Sequence, residues 1–165
     1  LSGFTWGRYT NQCVDSIGGR YWVDEVANAF MIPREVFKKT GGFDEENFPI
    51  DLDEADLCKR IKDMDYRITM DPKAICYHKS ITYSHIPDFR RPKNAYFMGR
   101  NRQLYQGKHL APLSYCLYLV IFLPVFVGFY TASLVGRKNF QMLLPFLKGV
   151  FDGLRGCREN KYQKR

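Results

Sequence analysis

Apolar residues recur at helical spacing in three stretches of the chain, and polar or glycine-rich segments separate them. Between Asp53 and Met64, the apolar positions Leu57, Ile61 and Met64 fall four and three apart. That is the period of a helix burying one stripe. Four carboxylates, Asp51, Asp53, Glu54 and Asp56, crowd its entrance. There they complement the positive end of the helix, and they are expected to face outward. Pro33 stands where a first helical turn starts, residues 34–39 read as a short helix, and Gly41-Gly42 stops it. Residues 23–32 read as a strand that becomes buried toward its end. Residues 66–70 and 74–78 read as short strands joined by an Asp71-Pro72 turn. Residues 1–22, rich in glycine and aromatics, read as loop. Residues 79–109 mix polar, aromatic and basic side chains without a readable period.

The rear of the chain is more apolar. Residues 110–136 contain no charged side chain. A straight helix of that length is about 40 Å long, against about 30 Å of bilayer hydrocarbon. Pro124, near its middle, leaves two arrangements open, a tilted span and a re-entrant hairpin. A buried soluble helix is the non-membrane alternative. A second stripe follows at Phe140, Leu143, Leu144, Leu147, Val150, Phe151 and Leu154, interrupted by Lys148, Asp152 and Arg155. Those charges come too early for a second span. They fit a helix lying in the interface plane, with a helix packed on the soluble part as the alternative.

Charge sharpens this division. Residues 1–89 carry 11 basic and 15 acidic side chains, whereas residues 90–165 carry 14 and 2. A basic rear suits an anionic membrane surface or a nucleic acid. Arg90, Arg91 and Lys93 beside Tyr96 and Phe97 could form a base-stacking surface. The long uncharged run favours the membrane, so a membrane partner and no nucleic acid are expected. Both flanks of the run are basic, so its orientation is not set by charge. The five cysteines form no CxxC pair, which fits a reducing, cytosol-facing protein without a zinc ribbon or disulfide framework.

Several short pieces occur together in order. They are Ala29-Phe30-Met31, then Gly41-Gly42-Phe43-Asp44-Glu45, then Asp53-Glu54-Ala55-Asp56-Leu57. Arg60, Tyr66-Arg67-Ile68, Pro72-Lys73-Ala74 and Tyr77-His78 follow, with Arg100-Asn101-Arg102 and the tail from Phe151 to Gly156 further on. In this order and spacing the set resembles the acceptor half of family-2 glycosyltransferases. The resemblance covers about residues 23–102, and the end of the chain more loosely. It implies an α/β fold: the acceptor-side portion of a GT-A (nucleotide-diphospho-sugar transferase) fold, followed by a hydrophobic helix and an amphipathic helix. The implied boundaries are 1–109 for the partial catalytic domain, 110–136 for the membrane segment and 137–165 for the basic tail.

The resemblance also implies a chemistry. In that family a sugar passes with inversion from a nucleotide-sugar donor to an acceptor hydroxyl, and a carboxylate takes the hydroxyl proton. By position Glu54 matches the base and Asp53 the acid before it, in swapped order relative to the family pattern. Asp56 matches the second acid of the box, which orients the base or binds acceptor, or else serves only as a helix-start charge. Arg100 and Arg102 match a segment that could touch donor phosphate or form a membrane-proximal basic flank. His78 matches a histidine that helps hold metal or diphosphate in some GT-A enzymes. A divalent metal, Mg or Mn, is the implied cofactor. The family's Asp-x-Asp metal site lies in a front half that these residues do not match, so the chain is expected to be part of an enzyme and inactive alone. The implied acceptor is a carbohydrate or a lipid-linked sugar in cell-surface polysaccharide or glycolipid synthesis. The implied location is the cell membrane, with the catalytic part facing the cytoplasm. A membrane-anchored interaction module without catalysis is the competing reading.

Overall fold

The structure is a computed structural model describing residues 19–26, 29–71, 73–74 and 92–163, with residues 157–163 described by backbone only. Among these residues helices dominate, and one two-stranded antiparallel sheet pairs β1 (Tyr21–Val23) with β2 (Ile68–Met70). Tyr21 lies opposite Met70 and Val23 opposite Ile68. The strand expected over 23–32 is therefore confined to its first residue, because β2 offers only three residues of ladder. Beyond it, side chains still alternate: Phe30 and Ile32 turn into the core while Met31 is almost fully exposed. The period of two persists there with no partner strand among the described residues. The strand expected over 74–78, and with it His78, lies outside the described residues apart from Ala74.

Helix α1 (Arg34–Thr40) starts after Pro33 and ends on two left-handed glycines. The amides of Gly41 and Gly42 bond back to Lys38 and Phe37 carbonyls, closing the last turn. A Cβ on Gly42 would lie 3.3 Å from the Phe37 ring, so the turn needs glycine for space as well as for φ. Helix α2 (Asp53–Lys62) buries Leu57 and Ile61 against Val36 of α1, with Phe37, Phe43 and Ile68 packed around them.

Residues 92–109, where no period was readable, form helix α3 (Pro92–His109). Its buried side includes Asn101, Gln103 and Gln106 beside Ala95, Leu104 and Tyr105, so polarity and burial do not separate along it. From Pro112 to Gly136 the chain is one continuous helical rod of 25 residues. It comprises α4 (Pro112–Leu117), a wide π turn (Tyr118–Phe122) and α5 (Leu123–Gly136). Pro124 therefore does not divide the run into a hairpin. Its missing N–H and its ring are accommodated by the π turn just before it. Helix α6 (Phe140–Gln163) runs past the amphipathic stripe expected to end at Leu154.

Helices α3 and α6 lie side by side in the same direction, in contact through glycine. A Cβ on Gly149 would sit 2.0 Å from the Tyr96 carbonyl oxygen, and one on Gly153 2.4 Å from that of Arg100. On the α3 side, a Cβ on Gly99 would meet the Phe146 carbonyl at 2.4 Å. Only hydrogen atoms fit between these backbones. The rod returns antiparallel to both helices. Tyr118 near its start donates to Gln103 Oε1 at 2.8 Å, and Phe126 and Tyr130 further along pack on Phe146. Gln103 in turn donates to the Gly99 carbonyl, so this buried amide is satisfied by its own helix and by the rod.

Candidate active site

Asp56 is the hub of the α2 entrance. Its side chain is fully buried and receives hydrogen bonds from three directions. Arg60 Nε donates to Oδ2 at 2.8 Å, one turn on along the same helix. Lys108 Nζ lies 2.8 Å from Oδ1, and His109 Nε2 lies 2.7 Å from it. A carboxylate offers only lone pairs, so His109 Nε2 carries a proton there. Burial alone would raise the Asp56 pKa. The bonds from His109, Lys108 and Arg60 overcome it and hold the carboxyl at about 2.

The cations then reach onward. Arg60 donates to the carbonyls of Thr40 and Gly42, the latter at 2.7 Å. Lys108 bridges to Asp44 Oδ2 at 2.7 Å and lies over the Phe48 ring. Asp44 also caps its own turn by accepting from Asn47. Burial pushes the Asp44 pKa up, but Lys108 and Asn47 bring it below the usual carboxylate value. The Gly-Gly-Phe-Asp segment and the Asp-Glu-Ala-Asp segment are thus two halves of one network closed through Arg60 and Lys108. The carboxylates were expected to face outward. Asp53 and Glu54 are half-exposed, but Asp56 points into the protein because two cations and an imidazole N–H wait there to offset its desolvation.

The turn leading into α2 is unusual. Asp51 and Leu52 both have left-handed backbone, with φ of 67° and 65°. Two consecutive non-glycine residues in that region cost on the order of 1–3 kcal/mol each unless neighbours hold them. Asn101, fully buried on α3, is one holder: its Nδ2 donates to the carbonyls of both Ile50 and Asp51. Arg100 is another, its Nη1 donating to the Asn47 carbonyl at 2.8 Å and to Asn101 Oδ1 at 3.0 Å. Arg100, matched by the resemblance to a segment at donor phosphate or a basic flank, here fastens the acidic turn to α3.

Arg102 points elsewhere. Its guanidinium lies 4.9 Å from the centre of the Phe126 ring on α5. Its charge also reaches Glu25 and Asp51, lowering both against other influences that raise them. Burial lifts the Glu25 pKa, with Asp24 reinforcing it. Protein crowds the Asp51 carboxyl although the residue's surface is largely exposed, and Asp53 reinforces the upward shift. Glu25 and Glu54 both act on the buried Cys58 thiol, whose pKa rises chiefly through burial. Glu25, Asp51, Asp53, Glu54 and Arg102 therefore share one electrostatic neighbourhood at the mouth of α2. Sequence reasoning assigns Glu25 no role and reads Asp51 only as one of the helix-entrance charges. Neither belongs to a periodic pattern, so spacing gives no sign of the influence Arg102 has on them.

Among the described residues, no three His, Cys, Asp or Glu side chains converge to hold a metal ion. The helix Pro112–Gly136 is long and apolar enough to cross a membrane. No family model, curated protein or solved structure matches the chain.

Proposed function

We propose that this chain is the acceptor-side part of an inverting glycosyltransferase working at the cytoplasmic face of the cell membrane. The observation that carries the reading is the division among the acids of α2. Asp56, with its pKa near 2, is a poor proton acceptor at neutral pH and ties the site together. Asp53 and Glu54 stay half-exposed at the first positions of α2, just after the turn that Asn101 fastens at the Ile50 and Asp51 carbonyls. A base in such a place has what acceptor activation needs: access to an incoming hydroxyl, and a fixed backbone behind it.

In this reaction the acceptor oxygen attacks the anomeric carbon of a nucleotide sugar as the bond to the nucleoside diphosphate breaks. Glu54 takes the hydroxyl proton, with Asp53 beside it as the alternative base. The leaving diphosphate carries away the bonding pair, and its charge is met by groups of the donor half. The acceptor class is a carbohydrate or lipid-linked sugar, consistent with an apolar rod packed beside the site. The test uses the whole enzyme, donor half included. The first product should have the opposite anomeric configuration to the donor. Glu54→Gln should lower turnover at least about a hundredfold while donor affinity stays within about twofold. A retained configuration, or near-normal turnover in the variant, contradicts the proposal.

A further inference from the structure

The rod Pro112–Gly136 has the length to cross a bilayer, yet its neighbours are wrong for crossing. Its midpoint lies near Pro124, and Phe126, one half-turn on, is covered by the guanidinium of Arg102. Arg102 stands on α3 beside Arg100, Asn101 and Gln103, and Gln103 is bonded to Tyr118 of the rod itself. The charge of the same guanidinium acts on Asp51 and Glu25. If the rod crossed, this polar assembly would be carried to the bilayer midplane. Each charged side chain there costs about 2.5–3.5 kcal/mol on insertion scales, and far more on others. The assembly is not separable from the rod, because α3, α5 and α6 share one core of Ala95, Leu134, Met142, Phe146 and Val150.

The exposed apolar surface agrees with another placement. Leu113, Val120, Val125 and Phe129 are each more than half exposed along the rod. On α6 the glycine side faces α3, while Leu143, Val150 and Leu154 join the shared core. Phe140, Leu144, Leu147 and Phe151 are exposed, and helical periodicity places them just beyond those core positions. The next positions around the helix are Arg155 and Lys148, both exposed. Arg137 and Lys138 are exposed where the rod ends. An apolar strip bordered by cations is the form of a helix seated at an anionic lipid surface. We infer that the rod and the exposed stripe of α6 form one in-plane membrane seat that enters a single leaflet of an anionic bilayer, without crossing it. The mouth of α2 is thereby held at the height of the headgroups.

The test is depth measurement on the full chain bound to phosphatidylcholine vesicles with 30 % phosphatidylglycerol, the lipid fraction being about that of a moderately anionic membrane. Tryptophan is placed singly at three exposed positions, Leu113→Trp, Val125→Trp and Val135→Trp, with native Trp6 and Trp22 subtracted from the parent chain. Quenching by lipids brominated at shallow or deep acyl positions gives each depth. The in-plane seat predicts shallow quenching at all three, within about one helical diameter, or about 10 Å, of one another. A deep maximum at position 125 with both ends near headgroups means a crossing helix and overturns the inference. So does the absence of quenching at all three, whether the chain stays monomeric or self-associates through this face. Lys148→Glu with Arg155→Glu should weaken vesicle binding about tenfold or more, and only for anionic vesicles. Equal loss on neutral vesicles would also overturn it.

Discussion

Helix α2 and the rod Pro112–Gly136 invert the usual relation between polarity and burial. Asp56 of α2 has no exposed surface, whereas Leu113 and Val120 of the rod are each 75 % exposed. The two helices solve different solvent problems. Asp56 can be buried because Arg60, Lys108 and His109 supply, inside the protein, what water would have supplied. Under the membrane seat proposed above, the exposed leucine and valine of the rod find their partner in lipid, and exposed Arg137 and Lys138 at the rod's end suit an anionic headgroup layer. Burial here reports which partner each surface has, not how hydrophobic its residues are.

That contrast can be broken experimentally, and the variants differ in size of effect. Asp56→Ala leaves Lys108 and Arg60 without their shared acceptor and should destabilise the fold by about 3–5 kcal/mol, read by chemical denaturation. Gly149→Leu drives a side chain into the Tyr96 carbonyl and should cost about 1–3 kcal/mol or more, separating α3 from α6. Lowering pH should act on the same hub as Asp56→Ala. Because the folded pKa of Asp56 is depressed to about 2, its contribution is complete above the ordinary carboxylate value and is lost as pH falls through 2. The loss should be about 2 kcal/mol, and Asp44, shifted the same way, adds to it. In the Asp56→Ala variant this acid step should shrink. Asn101→Ala removes both bonds to the left-handed turn and should cost about 1–3 kcal/mol. It should also lower turnover without moving donor affinity, since it relaxes the mouth rather than the donor site.

Much of this architecture was readable from spacing. The α2 stripe of Leu57 and Ile61, the Pro33 start and Gly-Gly stop of α1, and the uncharged rod all follow from local rules, because each element's own residues decide it. What local rules missed has non-local causes. Helix α3 hides Asn101, Gln103 and Gln106 while showing Lys93, so its hydrophobic period is blurred; Asn101 is buried to serve another segment's backbone and Gln103 to meet the rod. Asp56 looked like an outward helix-start charge because its partners lie 52 and 53 residues away, at Lys108 and His109. The hold of Arg100 on the Asn47 carbonyl is equally invisible in the sequence, because nothing there announces that this carbonyl needs a donor. The acid pieces that resemble a glycosyltransferase acquired a physical reason to occur together only when Arg60 and Lys108 were seen to join them.

On the proposed function, Asp56 holds the site and Glu54 performs the chemistry. The most direct measurement is turnover and unfolding midpoint taken on the same preparation of the whole enzyme carrying Glu54→Gln. Turnover should collapse while the midpoint stays within about 0.5 kcal/mol of the parent. A variant that keeps its turnover, or that loses it only in proportion to lost stability, would contradict the separation.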